Sequence, residues 1–153
     1  MRIGEICTRS VVTCTRALSV LDIARRMREQ HVGDVIVVDD ADGRATPVGI
    51  VTDRDLVIEV MARGVDPGRL CAGDLVVGPL ITAGESDLVY DAVWQMRRHG
   101  IRRLPVVDAG GRLVGVLTTD DLTRCLAEQL GDLARIVPGQ VRRESARRSE
   151  AAA

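Results

Sequence analysis

The chain is written twice. At an offset of 69 residues, Gly4, Glu5 and Ile6 fall on Gly73, Asp74 and Leu75, and Val12 and Thr13 fall on Ile81 and Thr82. Val20, Asp22, Met27 and Arg28 fall on Val89, Asp91, Met96 and Arg97, and Val37, Val38 and Asp39 on Val106, Val107 and Asp108, with no gap. After Asp39 the first copy carries a loop three residues longer, "DADGRATP" against "AGGRL". The register then resumes at an offset of 66, with Gly49 on Gly115, Thr52 on Thr118, Asp55 on Asp121 and Leu56 on Leu122. Self-similarity of this kind restricts the fold to two like units. A unit of about 60 residues is marginal by itself, so the two are expected to bury their apolar sheets together about a pseudo-two-fold axis.

Each copy reads as β-α-β-β-α, which makes the chain α/β in the α+β sense. "SVVT" and "PLIT" are short extended segments. An amphipathic helix follows, with Val20, Ile23, Ala24 and Met27 in copy one and Val89, Ala92, Val93 and Met96 in copy two, all on one face by their i, i+3, i+4, i+7 spacing. Ser19 with Asp22 resembles a capping box for the first of these helices. The β-branched runs "VIVVD" and "VGIVT", and "LPVVD" and "LVGVLT", predict strand pairs covered on both faces. The Gly-containing turns "DADGR" and "DAGGR" join them. A second helix starts at each Thr-x-x-Asp, carrying Leu56, Val57, Val60 and Met61 in copy one and Leu122, Cys125 and Leu126 in copy two. Repeat 1 is thus expected over residues 1–64, a linker over 65–70, repeat 2 over 71–131, and a largely disordered tail over 132–153, where apolar periodicity stops.

Composition narrows the function classes. A net charge of −1 gives no electrostatic footprint for nucleic acid or an anionic membrane. No run approaches the roughly 18 apolar residues of a span, and no apolar leader precedes the first repeat, so a cytoplasmic protein is expected. With no phenylalanine, one tyrosine and one tryptophan, the core must be aliphatic. Cys7, Cys14, Cys71 and Cys125 lie far apart, without CxxC or paired histidine spacing. They read as small buried apolar residues, with a thiol switch or disulfide as the alternative and no metal site expected. His31 and His99 close the first helices, where they suit the C-terminal dipole. Neither has a nucleophile or a metal-ligand partner, so an enzyme is not expected.

Thr52 and Thr118 stand where a strand gives way to a helix, and Asp55 and Asp121 three residues on. This is N-cap chemistry, with the carboxylate favoured by the helix dipole. The same geometry serves a ligand: a helix N-terminus attracts anions, a hydroxyl donates to phosphate, and a carboxylate accepts both hydroxyls of a ribose. Capping and nucleoside binding are compatible, and both readings stand.

Paired units of this length, each with an "LPVVD"-like strand and a "GVLTTDDL"-like strand–helix junction, resemble tandem CBS domains, the Bateman module, over roughly residues 1 to 130. The resemblance implies two repeats forming one module with two clefts. It implies adenosyl ligands there (AMP, ADP, ATP or S-adenosylmethionine) as regulatory molecules and pairing of modules as homodimers. Carried over, the hydroxyl positions are Thr52 and Thr118 and the ribose carboxylates Asp55 and Asp121. A basic residue before the "LPVVD" strand reaches phosphate in the family. Copy two keeps it as Arg102 and Arg103, whereas copy one has Gly33 and Asp34. The Asp121 cleft, with Thr118, Arg102, Arg103 and Val32, is therefore expected to be the principal nucleotide site and the Asp55 cleft the weaker one. Thr13, Cys14 and Thr82 are expected pocket walls. The expected function is a stand-alone regulatory module that signals to an unknown effector protein. A dimeric scaffold with degenerate clefts, or a cysteine-based redox sensor, is the alternative.

Overall fold

The computed structural model describes residues 1–41 and 43–151; Asp42, in the first Gly-containing turn, and the last two residues lie outside them. Repeat 1 runs α1 (Ile3–Ile6), β1 (Thr13–Cys14), α2 (Val20–Gln30), β2 (Asp34–Ala41), β3 (Arg44–Thr52) and α3 (Asp53–Asp55), which continues into a π-helical segment, Leu56–Met61. Repeat 2 runs α4 (Ala72–Leu75), β4 (Ala83–Gly84), α5 (Val89–His99), β5 (Arg103–Val107) and β6 (Leu113–Thr118), then α6 (Thr119–Ala134); α7 (Ile136–Ala151) follows. There are two three-stranded sheets, β1-β2-β3 and β4-β5-β6. In each, the short first strand is parallel to the second, and the second and third are antiparallel with one bulge, at Val37/Val38 and at Val106/Val107. The repeat seen in the sequence is thus a repeat of topology.

Local chemistry accounts for these elements. Ser19 caps α2, its Oγ accepting from the Asp22 N–H and donating to Asp22 Oδ2, and the predicted face supplies buried Val20, Ile23 and Met27. Both first helices end in the left-handed region, at His31 (φ 55°) and at its counterpart Gly100 (φ 65°), a conformation that glycine adopts without strain. Val35 to Val38 of β2 are all buried, as expected for a strand covered on both faces. β3 differs: it alternates, with Pro47, Gly49 and Val51 buried and Val48, Ile50 and Thr52 only half-buried. One face of β3 is therefore not fully covered, and that face carries the candidate site.

Residues Met1–Thr118 form one compact unit. Within it each repeat lends its first residues to the other. Arg2 bridges Leu88 and Cys71 bridges Ser19, two contacts equivalent by the 69-residue offset. The Gly4 N–H donates to Glu85 O and the Gly73 N–H to Arg16 O, again as counterparts. Ile36 and Val38 of β2 meet Val116 of β6 in a core shared by both repeats. Fully buried aliphatic side chains of this kind contribute about 1.5–3 kcal/mol each.

The helix expected after Thr118 is present as α6, and only the segment from residue 132 onward differs from the expectation of a largely disordered tail. It is helical, as the end of α6 and as α7. Apolar periodicity stops after Gly131, but the Arg, Glu, Gln and Ala that follow are strong helix formers, and Gln140 donates to Glu144 Oε1 one turn on.

Candidate functional site

Thr52 ends β3 and starts α3, and its side chain and Asp55 close a reciprocal cap. The Asp55 N–H donates to Thr52 Oγ1 at 3.3 Å, while the Thr52 N–H and hydroxyl both donate to Asp55 Oδ2, at 2.8 and 2.7 Å. The capping expected from the sequence is therefore present, and it uses one carboxylate oxygen. Oδ1 stands outside the box, held in place by it. The helix then loosens: Ala62 donates to Val57 O and Val65 to Val60 O, both i→i+5, a spacing that recurs at functional sites.

Thr52 and Asp55 line a cavity of about 570 Å³ together with Ile50, Leu75, Val77, Gly100 and Ile101 and six charged residues: Asp53, Arg54, Glu59, Arg102, Arg103 and Asp55 itself. This lies within the roughly 300–1,000 Å³ of small-molecule sites. An apolar cavity of about 190 Å³ adjoins it, lined by Val48, Gly49, Val76 and Ile81 among others and sharing Ile50, Val77, Ile101 and Arg103. The two together give an aliphatic slot that opens on a polar chamber. The chamber wall carries three arginines and three carboxylates.

Arg103 is held rather than loose. Its Nε lies 2.7 Å from Asp34 Oδ1, with the side chains 25% and 16% exposed. Asp34 and Arg103 are counterparts under the 69-residue offset, so the two starting residues of β2 and β5 meet each other across the pseudo-axis. Burial pushes the Asp34 carboxyl above its ordinary range, Arg103 opposes the rise, and Asp53 adds to it. A carboxyl raised in this way stabilises the fold most below its unfolded value of about 4, and that contribution is lost as pH rises through the folded value. Asp34→Asn is therefore expected to flatten the stability-versus-pH curve on its acid side, measured by thermal unfolding between pH 3 and 7. An unchanged slope would mean that the charge is not strained. Arg102 stands exposed on the cavity rim.

The structure groups the expected site residues differently from the sequence reading. Arg102 and Arg103 line the cavity of Thr52 and Asp55, not one identified by Thr118 and Asp121. The backbone of Arg103 does pair with Thr118 in the β5–β6 ladder, but its guanidinium turns to Asp34 of the other repeat. Asp121 is buried, with Oδ1 2.6 Å from Arg124 Nη2. Val32 packs on the repeat-1 core, and Cys14 lies inside it at 5% exposure. Thr13 pairs with Ile36 in the β1–β2 ladder, and Thr82 immediately precedes β4. None of these four lines the cavity. Ile50, Val77 and Ile101 do, and the sequence reading missed them, although Ile101 is the counterpart of Val32 and could have been found from it.

Three of the four cysteines pack as expected, whereas Cys71 is half-buried and its thiol donates to Asp74 Oδ2 at 3.2 Å. Cys7, Cys14 and Cys125 are buried, and no disulfide is formed among the described residues. Burial pushes the Cys14 thiol up, with Arg26 opposing, which disfavours the thiolate that redox chemistry requires. No group of three metal-ligating side chains occurs among the described residues, and none of their helices is long and apolar enough to cross a membrane.

The family model of the CBS domain matches residues 3–62 and 72–128. An uncharacterized protein of Methanopyrus kandleri is 41% identical over 120 residues, 78% of this chain and 60% of that protein, so the chain spans less than two thirds of that relative's length. Hypoxic response protein 1 of Mycobacterium tuberculosis is 34% identical over 118 residues, 76% of this chain and 80% of that one. Among solved structures, a CBS domain protein from Pyrobaculum aerophilum complexed with AMP is similar with a TM-score of 0.73 at 30% identity, over 86% of this chain and 99% of that one.

Proposed function

The chain belongs to the CBS-domain family, and on that premise we propose that it is a regulatory module that takes an adenine nucleotide in the Thr52–Asp55 cavity and passes its occupancy to a partner protein. The observation that carries this reading is the aliphatic slot joined to the polar chamber. Adenine fits between Ile50, Val77 and Ile101, where a flat apolar ring gains burial without needing aromatic partners. The ribose hydroxyls meet Asp55 Oδ1, and the phosphate meets the α3 N-terminus and Arg102, while the Thr52 hydroxyl stays in the cap that holds Asp55. The AMP held by the Pyrobaculum relative supports the same class of ligand.

The charge balance refines the ligand. Arg54, Arg102 and Arg103 face Asp53, Asp55 and Glu59, and Asp34 already neutralises Arg103. A wall with no net positive charge favours one phosphate over three. Calorimetric titration is expected to give AMP at least about fivefold tighter than ATP. Tighter ATP would show that the carboxylates turn away from the phosphates, and no heat with AMP, ADP, ATP or S-adenosylmethionine would favour the degenerate scaffold.

The regulatory output would run through self-association and an effector chain. Leu56, Val60 and Leu122, apolar in the sequence pattern, are turned inward. The apolar side chains left exposed on these two elements include Val57, Ile58 and Met61 on the π-helical segment, and Leu126, Leu130 and Leu133 on α6. Surfaces of this kind mark protein contacts, and a homodimer is the proposed state; a monomer mass by light scattering at micromolar concentration would count against it.

A further inference from the structure

The two repeats exchange equivalent backbone contacts through α1 and α4, and they differ in the segment that follows each of these helices. Thr8 and Val116 exchange two backbone hydrogen bonds, Thr8 N–H to Val116 O and Val116 N–H to Thr8 O, both 2.9 Å. Arg9 reinforces the join by pairing with Glu85 at 3.2 Å and donating to Gly4 O at 2.9 Å. The counterparts of Thr8 and Val116 are Val77 and Ile50. Among the described residues no bridge joins those two; both line the cavities instead. Val77 is 90% exposed and Ile50 half-buried, whereas Val116 is 7% exposed.

The sequence supplies the cause. Where repeat 1 reads Thr8, Arg9, Ser10, repeat 2 reads Val77, Gly78, Pro79. Gly78 adopts φ 76°, which an arginine adopts only with strain, and Pro79 has no N–H to add to a ladder. The chain therefore swings away from β3 in one repeat and lies along β6 in the other. From this we infer that the module binds one nucleotide per chain: the slot beside β3 is open, and the equivalent position beside β6 is closed by the Thr8–Val116 bridge. The inference rests on the nucleotide reading above and specifies its stoichiometry. The bridge is made of backbone, so side-chain substitutions at Thr8 leave it shut.

Calorimetric titration of the full chain with AMP tests this, read as moles bound per chain. A stoichiometry of one is expected. A stoichiometry of two would overturn the closure while leaving the nucleotide reading intact, and the absence of any heat would overturn that reading instead. Thr8→Pro removes one of the two hydrogen bonds and is expected to raise the stoichiometry above one. Should that variant fail to fold, Gly78→Arg with Pro79→Ser copies the closed sequence into the open repeat. It is expected to weaken AMP at least tenfold, and unchanged affinity would overturn the assigned cause.

Discussion

Asp55→Ala is expected to lower AMP affinity by roughly 10- to 100-fold, while Asp121→Ala leaves it within about twofold. Hydrogen bonds to a charged group contribute about 1.5–3 kcal/mol, and a ribose offers Asp55 two hydroxyls. Asp55 also caps its helix through Oδ2, and losing a cap costs about 1 kcal/mol of stability, so the variant's melting temperature must be followed alongside its affinity. Asp55→Asn separates the two effects. Its amide oxygen still accepts from Thr52, so the cap largely survives, but the charge that strengthens the ribose contact is gone. Its affinity is expected to fall between those of the parent and Asp55→Ala, with little change in melting temperature. Asp121, buried beside Arg124, lies on the repeat whose slot is bridged. If Asp121→Ala abolishes AMP binding and Asp55→Ala spares it, the cavity has been assigned to the wrong repeat.

The parts of this site that local chemistry dictates were legible in the sequence. Thr52 and Asp55 stand out because a hydroxyl and a carboxylate three residues apart close a helix start wherever it falls, and the offset of the repeats needs no structure. Arg102 and Arg103 were legible as candidate phosphate partners, but the cavity they line was not. It depends on Arg103 meeting its own counterpart Asp34 across the pseudo-axis, a long-range pairing that no spacing encodes. The apolar wall was missed for a related reason: Ile50 looks like any strand valine or isoleucine until its strand is seen to be half-covered. The closure by Thr8 and Val116 has no side-chain signature at all. Its trace in the sequence is negative, the Gly78 and Pro79 that prevent the same join in repeat 2. The helicity of α7 was hidden because its composition lacks the apolar stripe by which surface helices are recognised, even though its propensity is high.

The alignment of Gly49 with Gly115 has a consequence for stability that is the larger of the two for the fold. A Cβ built on Gly49 would lie 2.3 Å from Val76 Cγ2 and 2.7 Å from Val76 Cγ1. Val76 is β-branched and stiff about χ1, and it packs on the repeat-1 core, so it cannot rotate out of the way without leaving that core. Gly49→Ala is therefore an overpacking change, expected to cost about 1–3 kcal/mol and to lower the melting temperature by roughly 3–15 °C. Val76 and Gly49 also line the aliphatic slot, so pushing Val76 aside narrows the space for adenine. AMP affinity should fall even at temperatures where the variant is fully folded. Gly49→Ala combined with Val76→Ala tests the cause, because it removes the clashing methyl groups. The pair should be more stable than Gly49→Ala alone, with a coupling between the two sites of about 0.5–3 kcal/mol in a double-mutant cycle. Simple additivity of the two losses would show that the glycine is required for some reason other than the close approach of Val76, and an unchanged melting temperature in Gly49→Ala would show that the second repeat's leading segment moves away from β3 without cost.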